Sequence, residues 1–183
     1  MSSEDPWNNR FVYPSLFDGF RKGLGERFTA ETCEKLKAAG LDVEHLPPAI
    51  PARDMAKYKE IITLGAWPEL PENERLRLLG LWMIRGWQRG LLGSAATKLL
   101  RLLGPKATLS RLDRVFSTTN NFSHARTEFV GEREALIVVN DVEDQPTYWV
   151  GIFEAGLEIL GLDGAVSVVL HRPGEATFRV SWK

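Results

Sequence analysis

Apolar residues in the last third of the chain follow two different periods. From Gln145 to Leu160 they recur at helical spacing. Trp149, Ile152, Phe153, Gly156, Leu157 and Leu160 make one stripe, and Glu154 and Glu158 lie off it, expected to face water. Pro146 suits a first helical turn, where a missing N–H costs nothing, and Gly161 suits a left-handed stop. Gly156, inside the stripe, would let a sheet approach the helix backbone. On either side of this helix the pattern alternates. Ala176, Phe178, Val180 and Trp182 share one strand face; Thr177, Arg179 and Ser181 share the other. Ala165–His171 is apolar nearly throughout, and Pro173-Gly174 supplies the tight turn between these two runs. An earlier hairpin pairs Phe122–Val130 with Glu134–Asn140 through Gly131, and the run Ala135 to Val139 predicts a central strand covered on both faces.

The preceding chain reads as about six helices. The first opens at Pro14 and stops at Gly25; the second is capped by Thr29, runs through Ala39 and closes at Gly40. A proline-bearing connector, Leu41 to Pro51, leads to a third over Ala52 to Leu64. The fourth and longest, Glu72 to Leu92, is apolar on more than one side and carries Gly80, Gly86 and Gly90. Glycine inside a helix costs roughly 1 kcal/mol against alanine. Those positions therefore need a reason: close contact with another helix, or room for a ligand. Ser94 caps a fifth helix to Leu103, Gly104-Pro105 ends it, and a sixth spans Ala107 to Ser117. Asn120-Asn121 then turns the chain into the strands.

Helices first and ββαββ afterwards define an α+β class, a helical bundle packed on a four-stranded antiparallel sheet. A single domain is expected over residues 1–183, with a loose N-terminus (1–10), a helical part (11–118) and the ββαββ part (122–183). The net charge of −1 speaks against a general nucleic-acid binder. One cysteine, Cys33, allows neither a disulfide nor a Cys-based zinc site within the chain, and fits a reducing, cytoplasmic setting. Met1 to Asn9 has no apolar signal core, and no apolar run approaches the ~20 residues that span a bilayer.

The order of elements resembles a group of ligand-binding folds: the haem-nitric-oxide/oxygen-binding domain, the vinyl-4-reductase-type domain and the Bet3-type trafficking subunits. A narrower likeness lies in Val12-Tyr13-Pro14-Ser15-Leu16-Phe17-Asp18-Gly19-Phe20, in Gly104-Pro105-Lys106 leading through Leu109 and Arg111 to Asn120-Asn121-Phe122, and in Gly151-Ile152-Phe153-Glu154-Ala155. These stretches resemble an uncharacterised family expanded in myxobacteria, across nearly the whole chain. The wider resemblance implies a ligand space between helices and sheet. In the haem sensors of that group a histidine on the helix before the sheet holds the iron, and a Tyr-x-Ser-x-Arg clamp in the second strand holds the propionates. Ala107 to Ser117 has no histidine, and Glu134 to Asn140 has neither tyrosine nor arginine. The vinyl-4-reductase type carries cysteines near its final hairpin, and Val166 to Trp182 has none. Bet3-type proteins enclose an acyl chain in an apolar tunnel, which needs no motif.

No residue set stands out as catalytic or metal-binding. His45, His124 and His171 are scattered, Cys33 sits on a helix beside charged neighbours, and Ser15, Ser94 and Ser110 lack a Gly-x-Ser-x-Gly setting. The charge pattern is not random. Between Arg75 and Arg114 the only acid is Asp113, whereas Glu128 to Glu158 is rich in acids. Either the basic helices pair internally with the acidic segment, or Arg85, Arg89, Arg101, Arg111 and Arg114 form a face for an anionic partner. An aromatic pocket between the fourth helix and the late helix would draw on Trp82, Gly86, Trp87, Phe116, Trp149 and Phe153. The sequence thus reads as a non-catalytic regulatory or protein-interaction domain in signalling, without a cofactor. Its partner would be another protein, a second copy of itself or a hydrophobic small molecule. The alternative is a sensor of a lipid or cofactor other than haem.

Overall fold

The computed structural model describes residues 7–183, apart from the side chains of Leu91 and Leu92. The expected loose stretch (1–10) lies outside the described residues as far as residue 6. Arg10 pairs with the buried Asp141 and stacks its guanidinium 5.5 Å from the Trp7 ring.

The elements run β1 (Phe11–Val12), α1 (Pro14–Leu24), α2 (Ala30–Ala38), β2 (Ile50–Pro51), α3 (Met55–Ala66), α4 (Glu72–Gln88), α5 (Leu91–Leu109), α6 (Leu112–Phe116), β3 (Ala125–Gly131), β4 (Glu134–Val139), α7 (Pro146–Leu160), β5 (Gly164–Arg172) and β6 (Glu175–Trp182). The α+β class holds, with an antiparallel sheet in the order β3-β4-β6-β5. The caps are those the sequence dictates. Thr29 accepts a hydrogen bond from the Thr32 N–H, and Gly161 ends α7 in the left-handed conformation.

Four expectations are corrected. The fourth helix stops at Gln88, and α5 begins at Leu91 with Gly90 as its cap, so Gly93-Ser94 falls inside a helix. Gly104 (φ 75, ψ 175) is non-helical, so the expected break at Gly104-Pro105 is present within the span of α5, but the helix after it is interrupted again beyond Leu109 and leaves α6 as Leu112–Phe116. β1 and β2, unforeseen, pair antiparallel, which fastens the proline connector to the N-terminal strand. β4 is central in the sheet but buries only Ala135, Ile137 and Val139; Leu136 and Val138 are half-buried.

α7 is the hub. Its Phe153 ring stands edge-on to Phe178 of β6, centroids 5.1 Å apart, and its opposite side packs on α4. It is therefore buried almost all round, Tyr148, Val150, Ala155 and Ile159 included, beyond the single stripe its pattern predicts. Two close crossings flank α4. Added Cβ atoms at Gly80 and Gly151 would lie 2.0 Å from the Tyr148 carbonyl oxygen and 1.9 Å from the Arg77 carbonyl oxygen. On its other side, a Cβ at Gly86 would lie 1.9 Å from the Gly19 oxygen of α1. Close helix contact is thus the reason for Gly80 and Gly86. Gly156, the position expected to admit the sheet, has nothing within 4 Å of an added Cβ.

Two of the three stretches that carried the narrower resemblance meet in space. Val12 bridges Asn120, the Tyr13 N–H donates to the Thr119 carbonyl at 2.8 Å, and the Phe11 N–H donates to Asn121 Oδ1 at 2.8 Å. Asn120 Oδ1 accepts from the Phe122 and Ser123 N–H groups, which fixes the turn between helices and sheet.

Candidate functional site

Beyond the Gly80–Gly151 crossing, α4 and α7 share an apolar space with α5 and α6. This space is a cavity of about 110 Å³. Met83, Ile84 and Trp87 of α4 form one wall, Leu100 and Leu109 of α5 another, and Phe116 of α6 a third. α7 contributes Trp149, Ile152, Phe153, Gly156 and Leu160. The bare Cα of Gly156 thus widens the cavity rather than seating a strand. Phe116, Trp149 and Phe153 form an aromatic trio; the first two rings meet edge-on at 5.0 Å.

Of the six pocket residues read from the sequence, Trp87, Phe116, Trp149 and Phe153 line this cavity. Gly86 does not, because it is consumed by the crossing with α1. Trp82 does not either; its ring lies under the Arg85 guanidinium, 4.9 Å from the centroid.

The wall is polar in two places: Thr108, Thr118, Thr119, Asn120 and Ser123 line it near the turn into the sheet, and a buried charged cluster that sequence reasoning missed lines it at α3. Lys59 of α3 is 2% exposed. Its Nζ donates to Glu143 Oε2 at 2.7 Å and to Gln145 Oε1 at 3.2 Å, and sits 4.3 Å from the Tyr148 ring centroid. Lys59, Glu143 and Tyr148 all line the cavity. Burial, then the Glu143 charge, pushes the Tyr148 hydroxyl far above the usual phenol range, so it stays protonated. The signal was available: Lys59 falls on the face shared by Met55, Ile62, Thr63 and Ala66, an apolar position for a charge. Glu143 and Asp144 both have positive φ (50° and 54°), a conformation non-glycine residues rarely adopt.

The basic residues divide. Arg85 grips Glu158 through two hydrogen bonds of 2.9 and 2.7 Å, and Arg77 reaches Glu154 at 3.0 Å, so Glu154 is half-buried rather than free in water. Arg89, Arg101 and Arg111 donate to the carbonyls of Lys22, Ile159 and Ala107. Arg114 is exposed on α6. The pairing of α4 with α7 follows the internal-pairing reading. None of the histidines lines the cavity; His124 is exposed and faces Asp113 at 2.9 Å. Among the described residues no group of three or more His, Cys, Asp or Glu could hold a metal, and no helix is long and apolar enough to cross a membrane.

An α+β frame of this topology resembles the H-NOX fold. The model superposes on a Tt H-NOX carrying two phenylalanine substitutions with a TM-score of 0.73 at 13% identity, covering 93% of this chain and 95% of that one. An oxygen-binding H-NOX domain related to soluble guanylate cyclases gives a TM-score of 0.70 at 13% identity, covering 93% and 94%. A mutant H-NOX from T. tengcongensis gives 0.62 at 14% identity, covering 93% and 97%. Within that fold the chain belongs to the family described as protein of unknown function (DUF2378), whose model matches residues 10–183. No curated protein matches the sequence.

Haem does not fit the residues present. α5 and α6 carry no histidine, β4 has neither tyrosine nor arginine, and the aromatic trio fills much of the space between α6 and α7. The remaining cavity, about 110 Å³, is far smaller than a tetrapyrrole.

Proposed function

We propose that this chain is a non-catalytic regulatory domain that binds a small, largely apolar molecule between α4, α5, α6 and α7 and reports its occupancy to a protein partner. The cavity carries this reading: a wall of tryptophan, phenylalanine and aliphatic side chains with a few polar groups is the composition of a ligand site. A dry apolar cavity of about 150 Å³ accommodates benzene, and the volume here is of that order. The likeness to H-NOX domains supports a sensing role, with a different ligand from haem. α5 supports the link to a partner. It walls the cavity with Leu100 and Leu109 while Leu99 and Leu102 stand in solvent, Leu102 at 86% exposure.

Native mass spectrometry of the purified protein, together with benzene and indole titrations followed by melting temperature and tryptophan emission, tests the proposal. Both probes should raise the melting temperature, and Gly156→Leu, which fills the cavity from α7, should abolish the rise. No retained small molecule, and no response to either probe, would remove it.

A further inference from the structure

The two edges of the sheet are unlike. β3, at one end of the order β3-β4-β6-β5, carries Arg126 and Glu128 within its length, and Thr127 Oγ1 ties it to the Leu109 carbonyl at 2.8 Å. β5, at the other end, has no charged residue from Gly164 to Leu170, and Val169 and Leu170 are 46% and 42% exposed. A long apolar edge is a template for another strand unless charge, proline or a bulge blunts it. Over that run β5 has only the bulge at Val169, between Val168 and Leu170. Its main-chain groups are placed by its neighbour. The Lys183 N–H donates to the Asp163 carbonyl at 2.8 Å, so Asp163 faces β6, and by alternation so do Ala165 and Ser167, opposite Ser181 and Arg179. The N–H and C=O groups of Gly164, Val166 and Val168 therefore point along the free edge.

We propose that this edge pairs antiparallel with the same edge of a second copy, joining two four-stranded sheets into one of eight strands. The charges select that occupant. Those nearest the apolar run are Asp163 before it and Arg172 at its end. An antiparallel copy sets opposite signs together at both ends at once, as a two-fold axis demands. With the axis at Ser167, Val166 of one copy lies opposite Val168 of the other. The one extra residue at the bulge then brings Arg172 opposite Asp163 of the second copy. Asp163 has only an exposed contact with Lys183, at 3.3 Å, to exchange for it. Val166 and Val168, only partly covered by their own core, gain cover from the added strand. Strand pairing of this length buries less than a standard interface, so association falls in the micromolar range.

Sedimentation velocity over a concentration series should show a monomer–dimer equilibrium. Ser167→Lys sets two ammonium groups against each other at the axis and should weaken the dimer about tenfold or more. Asp163→Lys and Arg172→Glu should each weaken it alone and restore it when mixed, because the mixed dimer matches both ends again. In a Cys33→Ser background, Ser167→Cys should form a covalent dimer under mild oxidation. Ala165→Cys should not, because its two copies lie roughly 13 Å apart along the strands. Melting temperatures check that each variant folds. A monomer at every concentration would overturn the proposal. So would a dimer indifferent to Ser167→Lys, a mixture no tighter than its parts, or Ala165→Cys cross-linking as readily as Ser167→Cys. A dimer lost instead with Leu102→Ser would lie on α5 and overturn it too. None of these readouts involves the cavity, so dimerisation and ligand binding stand or fall separately.

Discussion

Alanine substitutions at four glycines test whether the helix crossings are as close as described. A Cβ at Gly151 would lie 1.9 Å from the Arg77 carbonyl oxygen and one at Gly80 2.0 Å from the Tyr148 oxygen, whereas ordinary contact starts at 3.4 Å. The obstructing atoms are main-chain oxygens that cannot rotate aside, so the helices must part by about 1.5 Å. Overpacking of a core typically costs about 1–3 kcal/mol, and a backbone clash belongs at or above the top of that range. Alanine returns about 1 kcal/mol of helix propensity. The net expectation for Gly151→Ala and Gly80→Ala is a loss of about 2 kcal/mol. Gly86→Ala should lose a similar amount against α1. At Gly156 an added methyl meets nothing within 4 Å, so alanine should stabilise by about 0.5–1 kcal/mol. Two positions on one helix thus differ by about 3 kcal/mol, or roughly 6–12 °C in melting temperature for a chain of this size. Urea unfolding followed by tryptophan emission measures it. If Gly151→Ala and Gly156→Ala agree within about 0.5 kcal/mol, the argument from close crossings is wrong.

Three further expectations follow. Lys59→Met strands the Glu143 carboxylate and should cost about 3–5 kcal/mol in urea unfolding, while Lys59→Met with Glu143→Leu should recover most of it. Burial holds the Asp141 carboxyl above its ordinary value of 3.8, against the lowering pull of the Glu143 N–H and Arg10. The folded chain therefore keeps this proton to higher pH than the unfolded chain, so Asp141 makes stability fall as pH rises through that window. Asp141→Asn should remove this component of the pH profile, and an unchanged profile would count against it. Haem added to the protein should produce no Soret shift beyond that of haem with an unrelated protein; a sharp ligated band would reverse the misfit argued above.

The periodic parts of the fold were legible because one environment dictated each residue. Ala176, Phe178, Val180 and Trp182 alternate because one sheet face is covered and the other is not. Thr29 and Gly161 sit where helix ends demand them. The misreadings fall where a residue answers to a partner distant in sequence. Gly156 lies on the apolar stripe and Gly151 off it, yet the tight site is Gly151, because the Arg77 carbonyl of another helix abuts it. Gly86 was read as pocket for the same reason, its neighbour being Gly19 of α1. The Lys59–Glu143 pair joins residues 84 positions apart, and no local pattern on either side names the other. Trp87, Phe116, Trp149 and Phe153 line the cavity because large rings on the inward faces of α4, α6 and α7 converge there.

Between α4 and its two neighbours there is no cushioning layer. At Gly80, Gly86, Gly19 and Gly151 main chain rests on main chain, with no rotatable side chain to absorb a displacement. Three rods joined in this way behave as one lever. Because Leu16 of α1 lines the same cavity as α4 and α7, a change in its filling bears on all three rods at once.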